Sequence, residues 1–171
     1  MGKISRIEAG FEYLDAFIGI SFQLRDYRLV YEINKALGLE LEKTEDLQVV
    51  YFQKDAEEES ISEHSCYSVS DPDKLLTYFL LSNTGSEGFR LIQQKEADFF
   101  LLVKGAGDGE IEKNLLQQVR KIPKVVMAFS IDQKKVANVE SLISDLELHD
   151  TNLRKSSKVK DPEIESQDDL F

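Results

Sequence analysis

His64 and Cys66 stand two residues apart in the stretch HSCYSVS, and a strand there turns both side chains toward one face. An imidazole beside a thiol opens the way to thiol catalysis or metal binding, but either needs a further base or ligand held nearby. The chain holds two His and one Cys, and His149 lies far away beside a charged tail. The pair therefore reads as a half-buried strand residue and an ordinary thiol, with no metal site expected. Asp98 is the more pointed carboxylate, set between Ala97 and the apolar run FFLLVKG. Burial there would raise its pKa, while a turn position would let it accept backbone N–H groups. No carboxylate, His or Lys has a spacing that marks it as a catalytic partner, so a structural role is expected and a functional one is the alternative. The segment GAGDGE at 105–110 has the outline of a phosphate loop. It lacks the Gly-Lys-Ser/Thr ending, Glu110 takes the place of the third glycine of the dinucleotide fingerprint, and Asp108, Glu110 and Glu112 already supply negative charge at that helix end. A capped loop is expected, with no cofactor and no assigned catalytic residue.

The elements that must position these groups read as α+β. Residues 17–22, FIGISF, suggest a strand. In the next segment Leu29, Val30, Ile33, Ala36 and Leu37 trace one helical stripe, with Asp26 placed to cap it and Gly38 to end it. Leu47, Val49 and Tyr51 alternate like a half-buried strand. The acidic residues 55–63 are expected as a solvated loop. HSCYSVS and KLLTYFLLS form a hairpin across a turn at Pro72, and Asn83, Gly85 and Gly88 supply the dihedrals of the next turn. The chain then enters FRLIQQKEADFFLLVKG at 89–105, the most apolar run and the expected central strand. Ile111, Leu115, Leu116, Val119 and Ile122 predict a helix stopped by Pro123, and KVVMAFSI another strand. A last helix follows, with Asp132 as N-cap and Val136, Val139, Leu142, Ile143 and Leu146 inward. Tyr27, Tyr31, Tyr51, Tyr67 and Tyr78 read as residues at the edge of the core. The expectation is one α+β domain over 1–149, a mainly antiparallel meander covered by two or three helices, with a disordered charged tail over 150–171.

Composition narrows the function classes. In 171 residues there are 21 Lys and Arg against 32 Asp and Glu, a formal charge of −11, so the mean field opposes nucleic-acid backbones and anionic membranes. A single Cys forms no internal disulfide and fits a reducing cytoplasm. Glu8, Glu12 and Asp15 interrupt any apolar leader, and no window approaches the ~20 apolar residues of a membrane span.

The segment LIQQKEADF at 91–99 resembles the signature of the IPExxxVDY family, bacterial proteins of unknown function. Asp98 matches outright; Leu91, Ile92, Gln93, Ala97 and Phe99 stand in for Ile, Pro, Glu, Val and Tyr. GISFQLRDYRLVYEINKALGLEL, YFLLSN, FFLLVKG and KIPKVVMAFSID are similar to further segments of that family, so the resemblance covers about residues 17–145. It implies a cytoplasmic domain and brings no activity, cofactor or site.

Residues 167–171, QDDLF, resemble the pentapeptide by which bacterial proteins bind the sliding clamp. Gln167, Asp169, Leu170 and Phe171 fit it, and Asp168 replaces the commoner Leu. Such peptides place two apolar anchors in a preformed pocket at the end of a mobile tether. The competing reading is a tail whose last residues are accidental. Taken together, a noncatalytic protein-interaction or adaptor domain is expected, with the sliding clamp as a candidate partner. The alternative is a small-molecule-binding domain or enzyme whose pocket lies near Asp98 and the 105–109 loop. Partner identity and oligomeric state are not written in the sequence.

Overall fold

In chain order the strands and helices are β1 (Ala16–Phe22), α1 (Asp26–Leu37), β2 (Glu42–Lys43), β3 (Leu47–Phe52), β4 (Glu59–His64), β5 (Cys66–Asp71), β6 (Leu76–Ser82), β7 (Phe99–Gly105), α2 (Ile111–Arg120) and β8 (Val125–Ser130). A 3₁₀ turn at Gln133–Lys135 and a helix α3 at 139–149 follow. This computed structural model describes residues 14–52, 58–86, 88–105, 109–136 and 139–149. The chain divides into two compact units, Met1–Ala137 and Asn138–Phe171. In the second, α3 buries Val139, Leu142, Ile143 and Leu146, the spacing of one helical face.

The fold of the first unit is α+β around a six-stranded sheet ordered β2-β5-β6-β7-β1-β8, and every pairing in it is antiparallel. β5, β6 and β7 are the expected meander, and β1 lies between β7 and β8. The sheet face that carries Ile18, Ile20, Leu80, Leu101 and Val103 packs against Leu29, Val30 and Ile33 of α1 and Leu115 and Val119 of α2. The opposite face, with Phe17, Phe79, Leu81, Phe100 and Leu102, is buried as well, and Phe17 meets Phe100 edge-on with ring centroids 5.5 Å apart. Burial on both faces explains why FFLLVKG has no polar alternation.

Several boundaries differ from the expectations. Asp26 begins α1 instead of capping it, and Arg25 is the residue before the first turn. The Asp26 carboxylate accepts the N–H of Tyr27 at 2.8 Å and the hydroxyl of Tyr67 at 3.0 Å, tying the helix to β5. Gly38 ends α1 in the left-handed region as expected, at φ 67°. Ala36 is exposed, which narrows the stripe to Leu29, Val30, Ile33 and Leu37. Asp132 caps the short 3₁₀ turn, accepting from Lys134 N at 3.1 Å, and not the last helix. Residues 59–63 are strand β4, not loop. Of the run 89–105 only Phe99–Gly105 is strand; the earlier part is irregular apart from one bridge between Thr84 and Arg90. Among the described residues, no helix is long and apolar enough to cross a membrane.

Candidate functional site

Asp98 ends the pairing of β1 with β7. Its N–H donates to the Ile20 carbonyl and its own carbonyl accepts from Asn83 N, both at 2.9 Å. Its carboxylate accepts the Phe22 N–H at 2.8 Å, a backbone group left over where β7 begins and the ladder stops. A carboxylate does what a strand residue would have done, satisfying a donor that burial would otherwise strand.

The missed organiser of this region is Asn83, fully buried. Turn chemistry predicts only dihedral freedom for it, but it works through its side chain. Its Nδ2 donates to the carbonyls of Ala97 at 3.0 Å and Gln94 at 3.3 Å, and its Oδ1 accepts from Ile92 N at 2.9 Å. Its carbonyl accepts from Leu91 N at 2.8 Å. The loop from Asn83 to Asp98 is thus wrapped on one amide, which holds donors and acceptors that no strand supplies. Asn in YFLLSNTGSEG is a turn signal in any sequence, so only the apolar residues around it hinted at burial.

His64 and Cys66 do not share a strand. Ser65 separates β4 from β5, and the two strands belong to different sheets. His64 instead pairs with Ser62, both fully buried. The Ser82 carbonyl, 3.0 Å from His64 Nδ1, accepts from it, so Nδ1 carries the proton. Nε2 is then the acceptor for the Ser62 hydroxyl at 3.0 Å. Burial lowers the His64 pKa below 6.5, opposed by the Ser82 hydrogen bond and the Asp46 charge, which holds the ring neutral. A serine, a histidine and an orienting carbonyl have the connectivity of an activated nucleophile. Gly85 closes it off: a Cβ at that position would lie 1.9 Å from Ser62 Oγ. Both side chains are closed to solvent, and the relay serves as a polar pin between β4 and the end of β6. Ser86 and Glu63 add two backbone anchors, Ser86 N to Glu63 O at 3.0 Å and Glu63 N to Ser86 Oγ at 3.2 Å. Phe89 stacks on Tyr51 with centroids 4.2 Å apart.

The outer face of the β3–β4 hairpin is different in kind. Register sets Val50 opposite Ile61, with Phe52 beside Glu59 and Gln48 beside Glu63 on the same side. Val50, Phe52 and Ile61 are 56%, 67% and 53% exposed, an apolar cluster edged by two carboxylates. Tyr27 and Tyr31, expected at the edge of the core, are also exposed, one turn apart on α1, whereas Tyr67 and Tyr78 are buried. Burial pushes the Tyr67 hydroxyl up to about 12, reinforced by its hydrogen bond to Asp26.

A cleft of about 500 Å³ lies where the C-terminal end of α1, the α2 face and the β5–β6 turn meet. It adjoins the β7 end at which Gly105 pairs with Leu76. Asp98 stands at the other end of that strand, about 20 Å away at ~3.3 Å per residue, and is not among the residues that line this cleft. Residues 106–108 and the peptide Gln167, Asp169, Leu170 and Phe171 lie outside the described residues. No three His, Cys, Asp or Glu side chains among the described residues converge as a metal site. Compared with known proteins, the chain matches no family model and no curated sequence.

Proposed function

We propose that the chain is a noncatalytic protein-interaction or adaptor domain working in the cytoplasm. The observation that carries this reading is the hairpin face of Val50, Phe52 and Ile61, three large apolar side chains presented together to solvent. Clusters of this kind lie at the centre of protein contacts more often than on inert surface. Glu59 and Glu63 beside them, on a chain of charge −11, suit a partner with an apolar recess rimmed by Lys or Arg. The peptide at 167–171 has the same chemistry in miniature, two apolar anchors among carboxylates, and makes the bacterial sliding clamp the first partner to try. What supports membership of the IPExxxVDY family is the work done by Asp98, since the one residue that matches the name motif outright is the one that closes β1.

Titration of a purified bacterial sliding clamp against the full chain, a form lacking 167–171, and Phe52→Lys separates the two surfaces. Loss of binding on deletion alone supports tail docking, and no binding by the full chain removes the clamp. Capture from cells then tests the broader reading: if the full chain, the deletion and Phe52→Lys recover the same proteins, neither surface is an interaction site.

A further inference from the structure

One buried side chain has a polar end that its own fold leaves open. Tyr78 is 5% exposed and lines the cleft between α1, α2 and the β5–β6 turn. Its hydroxyl has no hydrogen-bond partner among the described residues, where every fully buried side-chain polar atom has one. The hydroxyl therefore meets solvent through the cleft. Burial, with the Asp71 carboxylate nearby, raises its pKa above 10.0, so it is a donor throughout the physiological range. Lys74 at the rim and the carboxamides of Asn114 and Gln118, one helical turn apart on α2, are further donors in the lining. The acidic member, Asp71, already accepts the N–H groups of Asp73 at 3.1 Å and Lys74 at 3.2 Å through Oδ1. Lys74 makes no ion pair among the described residues. Leu37, Leu39, Leu76, Ile111 and Leu115 form the apolar part of the wall.

We propose that this cleft binds a small carboxylic acid with an apolar body, its carboxylate held by the Tyr78 hydroxyl, the Lys74 ammonium and the α2 carboxamides. A surplus of donors calls for an acceptor on the ligand. One cation beside one anion suits a single negative charge better than a phosphate dianion, which takes a cluster of cations or a bidentate Arg. The volume lies within the range of about 300–1,000 Å³ typical of small-molecule sites, and the mixture of leucines with a few convergent polar groups is their usual lining. No residue of the β3–β4 hairpin lines the cleft, so this proposal and partner docking stand or fall separately.

The test uses the full chain with octanoate, octan-1-ol and octylamine as probes, read by chemical shifts of the backbone amides in titrations at pH 7. Octanoate is expected to shift Lys74, Asn114 and Gln118 and to bind more tightly than the other two. Lys74→Gln, at an exposed position, is expected to weaken octanoate about tenfold, the equivalent of about 1.4 kcal/mol. Tyr78→Phe, which removes only the hydroxyl, is expected to weaken it about fivefold, each good hydrogen bond being worth roughly that much. Equal binding of octanol, tighter binding of octylamine, shifts confined to other surfaces, or an unchanged affinity in Lys74→Gln each overturns the proposal. Should Tyr78→Phe disturb the remaining spectrum, Lys74→Gln and the three-probe comparison decide alone.

Discussion

Asn83 shows how much one buried amide can hold. Changing it to Ala leaves the Ile92 N–H and the Ala97 carbonyl without their partner, and each abandoned buried group costs about 1–3 kcal/mol. Asn83→Ala is therefore expected to lower unfolding free energy by about 2–6 kcal/mol in urea denaturation, on that per-group scale; a loss under about 0.5 kcal/mol, the usual size for a neutral surface change, is incompatible with the role given to it. His64 makes a prediction about pH. Its folded pKa lies below the unfolded value of 6.5, so between the two values the unfolded chain binds more protons and stability rises with pH. The contribution is complete above 6.5 and is lost as pH falls through the window just beneath it. His64→Gln should flatten the melting-temperature profile from pH 7 to the acid side of that window, and a variant that keeps the wild-type slope there would assign the slope to other groups. Neither residue was legible as important. Asn83 looked like a turn former and His64 like a strand residue, because the value of a polar group depends on what buries it, and hydrophobic patterning does not report that.

At the scale of elements, legibility followed the apolar period. α1 and α2 were readable because Leu29, Val30 and Ile33, and Leu115 and Val119, recur on one face and are buried there. β4 was hidden because the residues it turns inward are Ser62 and His64 while its one large apolar residue, Ile61, faces outward, so its period of two runs opposite to the usual pattern. The segment 89–98 misled in the opposite way: its Phe, Leu and Ile serve a loop wound on Asn83, and composition alone does not separate such a loop from a strand. The contrast between the two sheets leads to a paired prediction. Leu101, fully buried in β7, should cost about 2–5 kcal/mol when cut to Ala. Phe52→Lys on the open hairpin face should change stability by less than about 0.5 kcal/mol, as exposed substitutions do. Chemical denaturation of both variants checks this, and a large loss in Phe52→Lys would mean that the face is covered.

For the molecule as a whole, charge is the property most plainly visible in the sequence. With −11 distributed over 171 residues, self-repulsion opposes the compact state and salt screens it. Raising NaCl from about 20 mM to 500 mM, which shortens the Debye length from roughly 20 Å to 4 Å, should raise the melting temperature; a fall would point to attractive ion pairs as the larger electrostatic contribution. The lone thiol offers a second view of the same molecule. Cys66 is fully enclosed where β5 begins, opposite Leu81, and no other sulfhydryl competes with it. Alkylation of the native protein must therefore wait for an opening reaction, and its rate divided by that of the unfolded chain gives the opening equilibrium at this one position. Without any mutation, the protein carries its own gauge of the fraction of time that the junction between its two sheets stands open.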